Sequence, residues 1–112
     1  MKIAVEKFGK VTVLKPQGQL THPVGDALLR DTVRGEIENG RAFFVLEMSG
    51  VPFVDSAGMG EMVACLKRAK ENNGDVKLSG VTQRVSDTLV LLGLAEILDT
   101  FPTAEEAIAS FV

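Results

Sequence analysis

Cys65 is the only cysteine of the chain and His22 its only histidine. A lone cysteine allows no internal disulfide and no thiolate cluster for zinc, which fits a reducing compartment. A lone histidine leaves acid–base chemistry one imidazole to work with. Positive charge is not in excess either: the formal net charge is −3, so no global field draws nucleic acid or anionic lipid to the surface. The densest basic run, "KRAK" at 67–70, lies inside a helical pattern and reads as a solvated face. No stretch reaches the roughly 20 apolar residues of a membrane helix. The longest, "LVLLGLAEIL", falls well short, and the opening "MKIAVEKFGK" lacks the apolar core of a signal peptide. The expectation is a soluble cytoplasmic protein with no cofactor or metal, no direct nucleic acid and no membrane partner.

What is present suits one domain over residues 1–112, with a quarter of the residues charged and nearly half apolar. "KIAVEKFGKVTVLKP" alternates apolar and polar residues on both sides of Gly9, the pattern of an antiparallel hairpin, which Pro16 and Gly18 close. Leu28, Leu29, Val33 and Ile37 then follow helical spacing, with Thr21 as a candidate cap and Asn39-Gly40 as a left-handed stop. "RAFFVLEM" reads as a central strand covered on both faces. A second helix is expected from about residue 57 to 72, with Met59, Met62, Val63 and Leu66 on one face and "ENNGD" ending it. "VKL" is a short strand, and "TQRVSDTLVLLG" a third helix closed by Gly93. Ile97-Leu98 reads as a brief last strand, and "TAEEAIASF" as a last helix opened by a Thr103/Glu106 capping box. Strands alternating with helices imply one α/β domain: a mixed, mostly parallel sheet of four to five strands with about four helices packed on it.

The stretch "FVDSAGMG" (53–60) draws the eye, because it leaves a strand and enters a helix at the sheet's carboxyl edge, where open α/β sheets place their sites. Three roles are open to Ser56. It can cap the helix, accepting a backbone N–H for about 1 kcal/mol. It can be a nucleophile, but only His22 is available as a base, and Val54 stands where a G-x-S-x-G elbow needs its first glycine. It can accept a phosphate: Ala57, Gly58 and Gly60 leave room for another protein's active site, and about −1.5 to −2 of added charge would lie beside Asp55. "SAGMG" has neither the lysine of a P-loop nor dinucleotide-binding spacing, and Asp55, Glu61 and His22 do not form a metal motif. Cys65 sits among apolar neighbours as a packed thiol.

The segment "FVLEMSGVPFVDSAGMGEMVACLKRAKENNGDVKLSGVTQRVSDTLVLLGLAEIL" resembles STAS domains, specifically the bacterial anti-sigma factor antagonists. The likeness is centred on "LEMSGVPFVDSAGMG" and "LLGL", and extends to the opening hairpin and "GQL". The resemblance implies a non-enzymatic switch. The unmodified antagonist binds an anti-sigma factor serine kinase and frees a sigma factor; the kinase ends this by phosphorylating the motif serine, and a metal-dependent serine phosphatase of the PP2C type resets it. Carried over, the phosphoacceptor is Ser56, and Thr21, Asp55, Ala57, Gly58, Met59 and Gly60 belong to the partner-binding surface. Met59 replaces the family leucine, Ala57 a frequent second serine and Glu47 the usual strand-end aspartate, while Thr21 stands where Asp or Asn is common. STAS-like domains also serve as scaffold parts of signalling or transport assemblies, in which the serine need not be phosphorylated.

Overall fold

Alternating side chains on either side of Gly9 produce β1 (Lys2–Phe8) and β2 (Val11–Gln17), paired antiparallel from Lys2↔Gln17 to Phe8↔Val11. Gly9 turns the chain at φ +58°, a left-handed conformation that glycine adopts without steric cost. The computed structural model describes residues 1–111; Val112, the last residue of the expected domain, lies outside them. After the hairpin come α1 (Gly25–Glu38), β3 (Phe43–Glu47), α2 (Ser56–Glu71), β4 (Asp75–Ser79), α3 (Gln83–Leu91), β5 (Thr100–Phe101) and α4 (Ala104–Ala109). The sheet order is β1-β2-β3-β4-β5, and every pair beyond the hairpin is parallel. The expected α/β class, mixed sheet and four helices are all present.

The two faces of the sheet are filled unequally. Leu14, Phe44, Leu46, Val76 and Leu78 point to one face and form the main core with Leu29 and Val33 of α1, Met62 and Cys65 of α2, and Val85 and Leu89 of α3. On the other face Val11, Val13 and Val45 pack with Ala107 of the short α4, with Phe43, Phe101, Ile108 and Phe111 around them. The period of two along β3 thus serves two cores, which is why this strand reads as a continuous apolar run.

Helix ends follow local chemistry. Gly40 (φ +82°) closes α1, its N–H donating to Ile37 O and that of Arg41 to Glu36 O, both at 2.9 Å. Thr82 caps α3 by accepting Val85 N at 3.3 Å, and Thr103 caps α4 by accepting Glu106 N at 3.2 Å. Three expectations are corrected. Thr21 does not cap α1 with its side chain: the helix begins later, at Gly25, and the Thr21 carbonyl instead accepts Gly25 N and Asp26 N at 2.8 and 3.2 Å. α2 begins at Ser56 and ends at Glu71, one residue earlier at each end than expected. Ile97-Leu98 is no strand. Leu98 is a fully buried anchor whose N–H bonds Leu94 O in a turn, and the ladder forms just after it, at Leu78↔Thr100 and Ser79↔Phe101. A short apolar run does not reveal whether it is strand or buried turn.

Candidate functional site

Two segments leave the carboxyl edge of the sheet side by side: residues 18–24 after β2, and 48–55 after β3. They are stitched together by a parallel bridge, Leu20↔Val54, with Leu20 N donating to Phe53 O at 3.0 Å and Asp55 N to Leu20 O at 3.3 Å. Asp55 is the cap of α2. Its backbone is extended (φ −85°, ψ −178°), and its Oδ1 accepts Gly58 N at 2.7 Å, satisfying one of the free donors of the first turn. Its second oxygen, Oδ2, accepts the backbone N–H of His22 at 3.0 Å, so one carboxylate both caps the helix and holds the neighbouring loop.

Gly58 makes that closeness possible. A Cβ there would overlap Leu20 O and lie 2.7 Å from Val54 Cγ1, so any side chain would force the two segments apart. Gly25 plays the same part at the start of α1, where a Cβ would meet Gln19 O at 2.8 Å. Gly60 is different: it is exposed, and a Cβ there would meet nothing within 4 Å.

Ser56 is the first residue of α2 and is exposed, which corrects its reading as the cap: Asp55 takes that role and leaves the serine hydroxyl facing outward. Ala57 and Thr21 are half-buried beside it, and Gly60 lies exposed one turn along. Met59 is turned into the core at 2 % exposure, and Gly58 is buried. These two shape the loop from beneath, and the Met59 side chain does not present a contact surface, because its helical position faces Leu20, Val54 and the sheet. The structure therefore brings Thr21, Asp55, Ser56, Ala57 and Gly60 to one edge of the sheet.

Three contributors escape sequence reasoning. The His22 backbone N–H is one. The others are Phe53 and Arg84, whose guanidinium lies 4.7 Å from the Phe53 ring centroid, bringing a cation from the start of α3 against the segment that leads into α2. Nothing local in the sequence links residue 84 to residue 53; only the sheet order does.

The His22 side chain is exposed, and its Nδ1 lies 3.0 Å from Asp26 Oδ2. That bond, with help from Ala27 N on Oδ1, holds the Asp26 carboxyl below the usual aspartate range. A base and its orienting acid are thus present, but among the described residues no hydrogen bond joins the imidazole to Ser56. The Gly58 N–H of the first turn, one donor an oxyanion could use, is already bound to Asp55. No cluster of three metal-ligating side chains occurs among the described residues, and no helix there is long and apolar enough to cross a membrane. Cys65 is buried, with its Sγ 3.5 Å from Glu61 Oε2; burial, then that carboxylate, pushes the thiol up to about 12.

Comparison with solved structures places this architecture. A protein described as a candidate anti-sigma factor antagonist from Thermotoga maritima superposes with a TM-score of 0.89 at 25% identity, over 96% of this chain and 92% of that one. The Bacillus cell fate determinant SpoIIAA in its phosphorylated form gives 0.76 at 19% identity, over 99% and 100% of the two chains. A sulfate transporter family protein from Wolinella succinogenes gives 0.74 at 22%, over 91% and 84%. The last two likenesses establish the fold alone. Residues 2–107 match the family model of the STAS domain, and the chain belongs to that family.

Proposed function

We propose that this chain, as one STAS domain over residues 1–112, is an anti-sigma factor antagonist whose binding is switched by phosphorylation of Ser56. The observation that carries the reading is the division of labour between Asp55 and Ser56. Because the aspartate caps α2, the adjacent hydroxyl is exposed and free of structural duty. A kinase that brings its own ATP and Mg²⁺ can transfer the γ-phosphoryl group to Ser56 Oγ, which loses its proton, without unmaking the cap. The helix N-terminus offsets part of the new charge, by about 0.3–1 kcal/mol, so the domain stays folded. A docked partner fares differently. A dianion beside Asp55, pressed into an interface of roughly 800 Å² per partner, is desolvated and repelled. A penalty of about 4 kcal/mol weakens binding about a thousandfold.

In this reading the unmodified chain binds an anti-sigma factor serine kinase through Thr21, Ser56, Ala57 and Gly60, on a loop shaped by Asp55, Gly58 and Met59. A PP2C-type serine phosphatase hydrolyses the phosphate and restores binding. The protein acts in the cytoplasm, performs no catalysis and uses no cofactor. The likeness to the Thermotoga maritima antagonist supports the reading. The STAS fold also occurs in a sulfate transporter family protein, which keeps a second reading in view: a scaffold part of a transport or signalling assembly in which Ser56 stays unmodified.

Incubation of the wild type and Ser56→Ala with native lysate and Mg-ATP, followed by mass-spectrometric site mapping, separates the two. The switch requires a single phosphate on Ser56 that the alanine variant lacks. Phosphate placed elsewhere, or none, favours the scaffold.

A further inference from the structure

The two edges of the sheet are unequal. β5 ends one side with two residues, too short to invite another strand. β1 ends the other with seven, paired to β2 residue for residue without a bulge, and it contains neither proline nor glycine. Long regular edges are normally blunted by charge, proline or bulges. Here the charges lie exposed on the faces of the sheet: Glu6 pairs Lys15 of β2 at 2.6 Å through Oε1, leaving Oε2 for a second cation, and Lys7 lies 3.8 Å from Glu36 of α1. Val5 remains 41% exposed.

The geometry points to β1 as the seam of a homodimer, in which two copies join their first strands antiparallel about a two-fold axis at Ala4. An axis normal to the sheet sets residues of the same face opposite each other. Lys2, Ala4, Glu6 and Phe8 share the α4 side, where Glu6 and Phe8 line a groove with Val13 and Ile108. Ile3, Val5 and Lys7 share the α1 side, where Ile3 packs on the main core.

With the axis at Ala4, Lys2 faces Glu6 of the second copy twice over, Ile3 faces Val5 twice over, and two alanine methyls meet at the centre. Other axes lose this match. At Val5, Ile3 would face Lys7 and Lys2 would face Phe8; at Glu6, two carboxylates would collide; at Ile3, Lys2 would face Ala4 and few pairs would form. Opposite charges and β-branched pairs stabilise directly opposed positions, whereas like charges destabilise them. The contact is smaller than the roughly 800 Å² per partner of a standard interface, so the dimer is concentration-dependent. The seam is independent of Ser56 chemistry.

Charge reversal tests the register by sedimentation velocity, with circular dichroism confirming that each variant is folded. Lys2→Glu makes both symmetric pairs acid against acid, and Glu6→Lys makes both base against base. Each variant alone should dimerise at least about tenfold more weakly than the wild type, since two pairs turn from attraction to repulsion. An equimolar mixture of the two should regain dimers, because the two acids of the Lys2→Glu strand then face the two bases of the Glu6→Lys strand. A wild type that stays monomeric up to about 1 mM, the weak end of specific association, overturns the inference. So does a mixture that behaves as the sum of its parts.

Discussion

The carboxylate of Asp55 accepts the backbone N–H of His22 at 3.0 Å from a loop far away in sequence, while its other oxygen caps α2 through Gly58. One side chain therefore fixes both walls of the site around Ser56. Replacing Asp55 by Ala should cost about 2–3 kcal/mol in urea denaturation, from a lost cap and a lost charge-assisted bond. Asparagine, which keeps one acceptor oxygen, should cost about half as much. Equal losses for the two variants would mean that the bond asparagine retains contributes nothing, and an asparagine variant as stable as the wild type would mean the same of the bond it gives up.

The glycines of the motif separate by mechanism. Gly58→Ala drives a Cβ into Leu20 O and should destabilise the domain by about 1–3 kcal/mol, as overpacking does. Gly60→Ala, exposed and with nothing within 4 Å, should be neutral or stabilising by about 0.5–1 kcal/mol, because alanine favours the helix. The melting temperature should fall for Gly58→Ala and hold or rise for Gly60→Ala.

Cys65 predicts an alkaline weakness. Its folded pKa, near 12, lies above the roughly 8.5 of an unfolded thiol, so its contribution is complete below that value and is lost as pH rises towards 12. Stability should fall over that window by up to about 4 kcal/mol, with a shallower fall in Cys65→Ala. The thiol should also resist iodoacetamide at neutral pH until the protein is denatured, since alkylation needs the thiolate.

Asp26 predicts the opposite limb. Its folded pKa is depressed, first by the His22 bond, so its contribution is present above the ordinary aspartate value of about 3.9 and is lost as pH falls below it. His22→Ala removes that leading cause and should flatten the acid limb of a stability–pH profile while leaving the alkaline one unchanged. An unchanged acid limb in the variant would contradict this assignment.

Much of this fold is legible in the residues, because the devices that build it are local. Alternation around Gly9, helical spacing through Leu29, Val33 and Ile37, and Gly40 and Gly93 as left-handed stops (φ +82° and +72°) all act within one turn or one strand. The errors fall where tertiary partners decide. Thr21 resembles a cap, but the pairing of Leu20 with Val54 holds its segment to the neighbouring loop and delays α1 until Gly25. Ile97-Leu98 resembles a strand, but Leu98 is drawn into the core and passes pairing on to Thr100. At the site, "VDSAG" places Asp55 and Ser56 together but does not show which of them caps the helix. That depends on the extended backbone of Asp55 and on the His22 N–H brought from elsewhere. The Arg84–Phe53 contact has no local signature at all.

The central claim is that phosphate on Ser56 abolishes docking without unfolding the domain. The most direct measurement is the affinity of a purified anti-sigma-type serine kinase partner for the unmodified chain and for the same chain phosphorylated at Ser56, with thermal melts of both forms. The account predicts melting temperatures within a few degrees, given the roughly 0.3–1 kcal/mol of helix-end compensation. It predicts affinity weakened at least about a hundredfold, or close to 3 kcal/mol. Equal affinities for the two forms would contradict it, as would a phosphorylated chain that no longer folds.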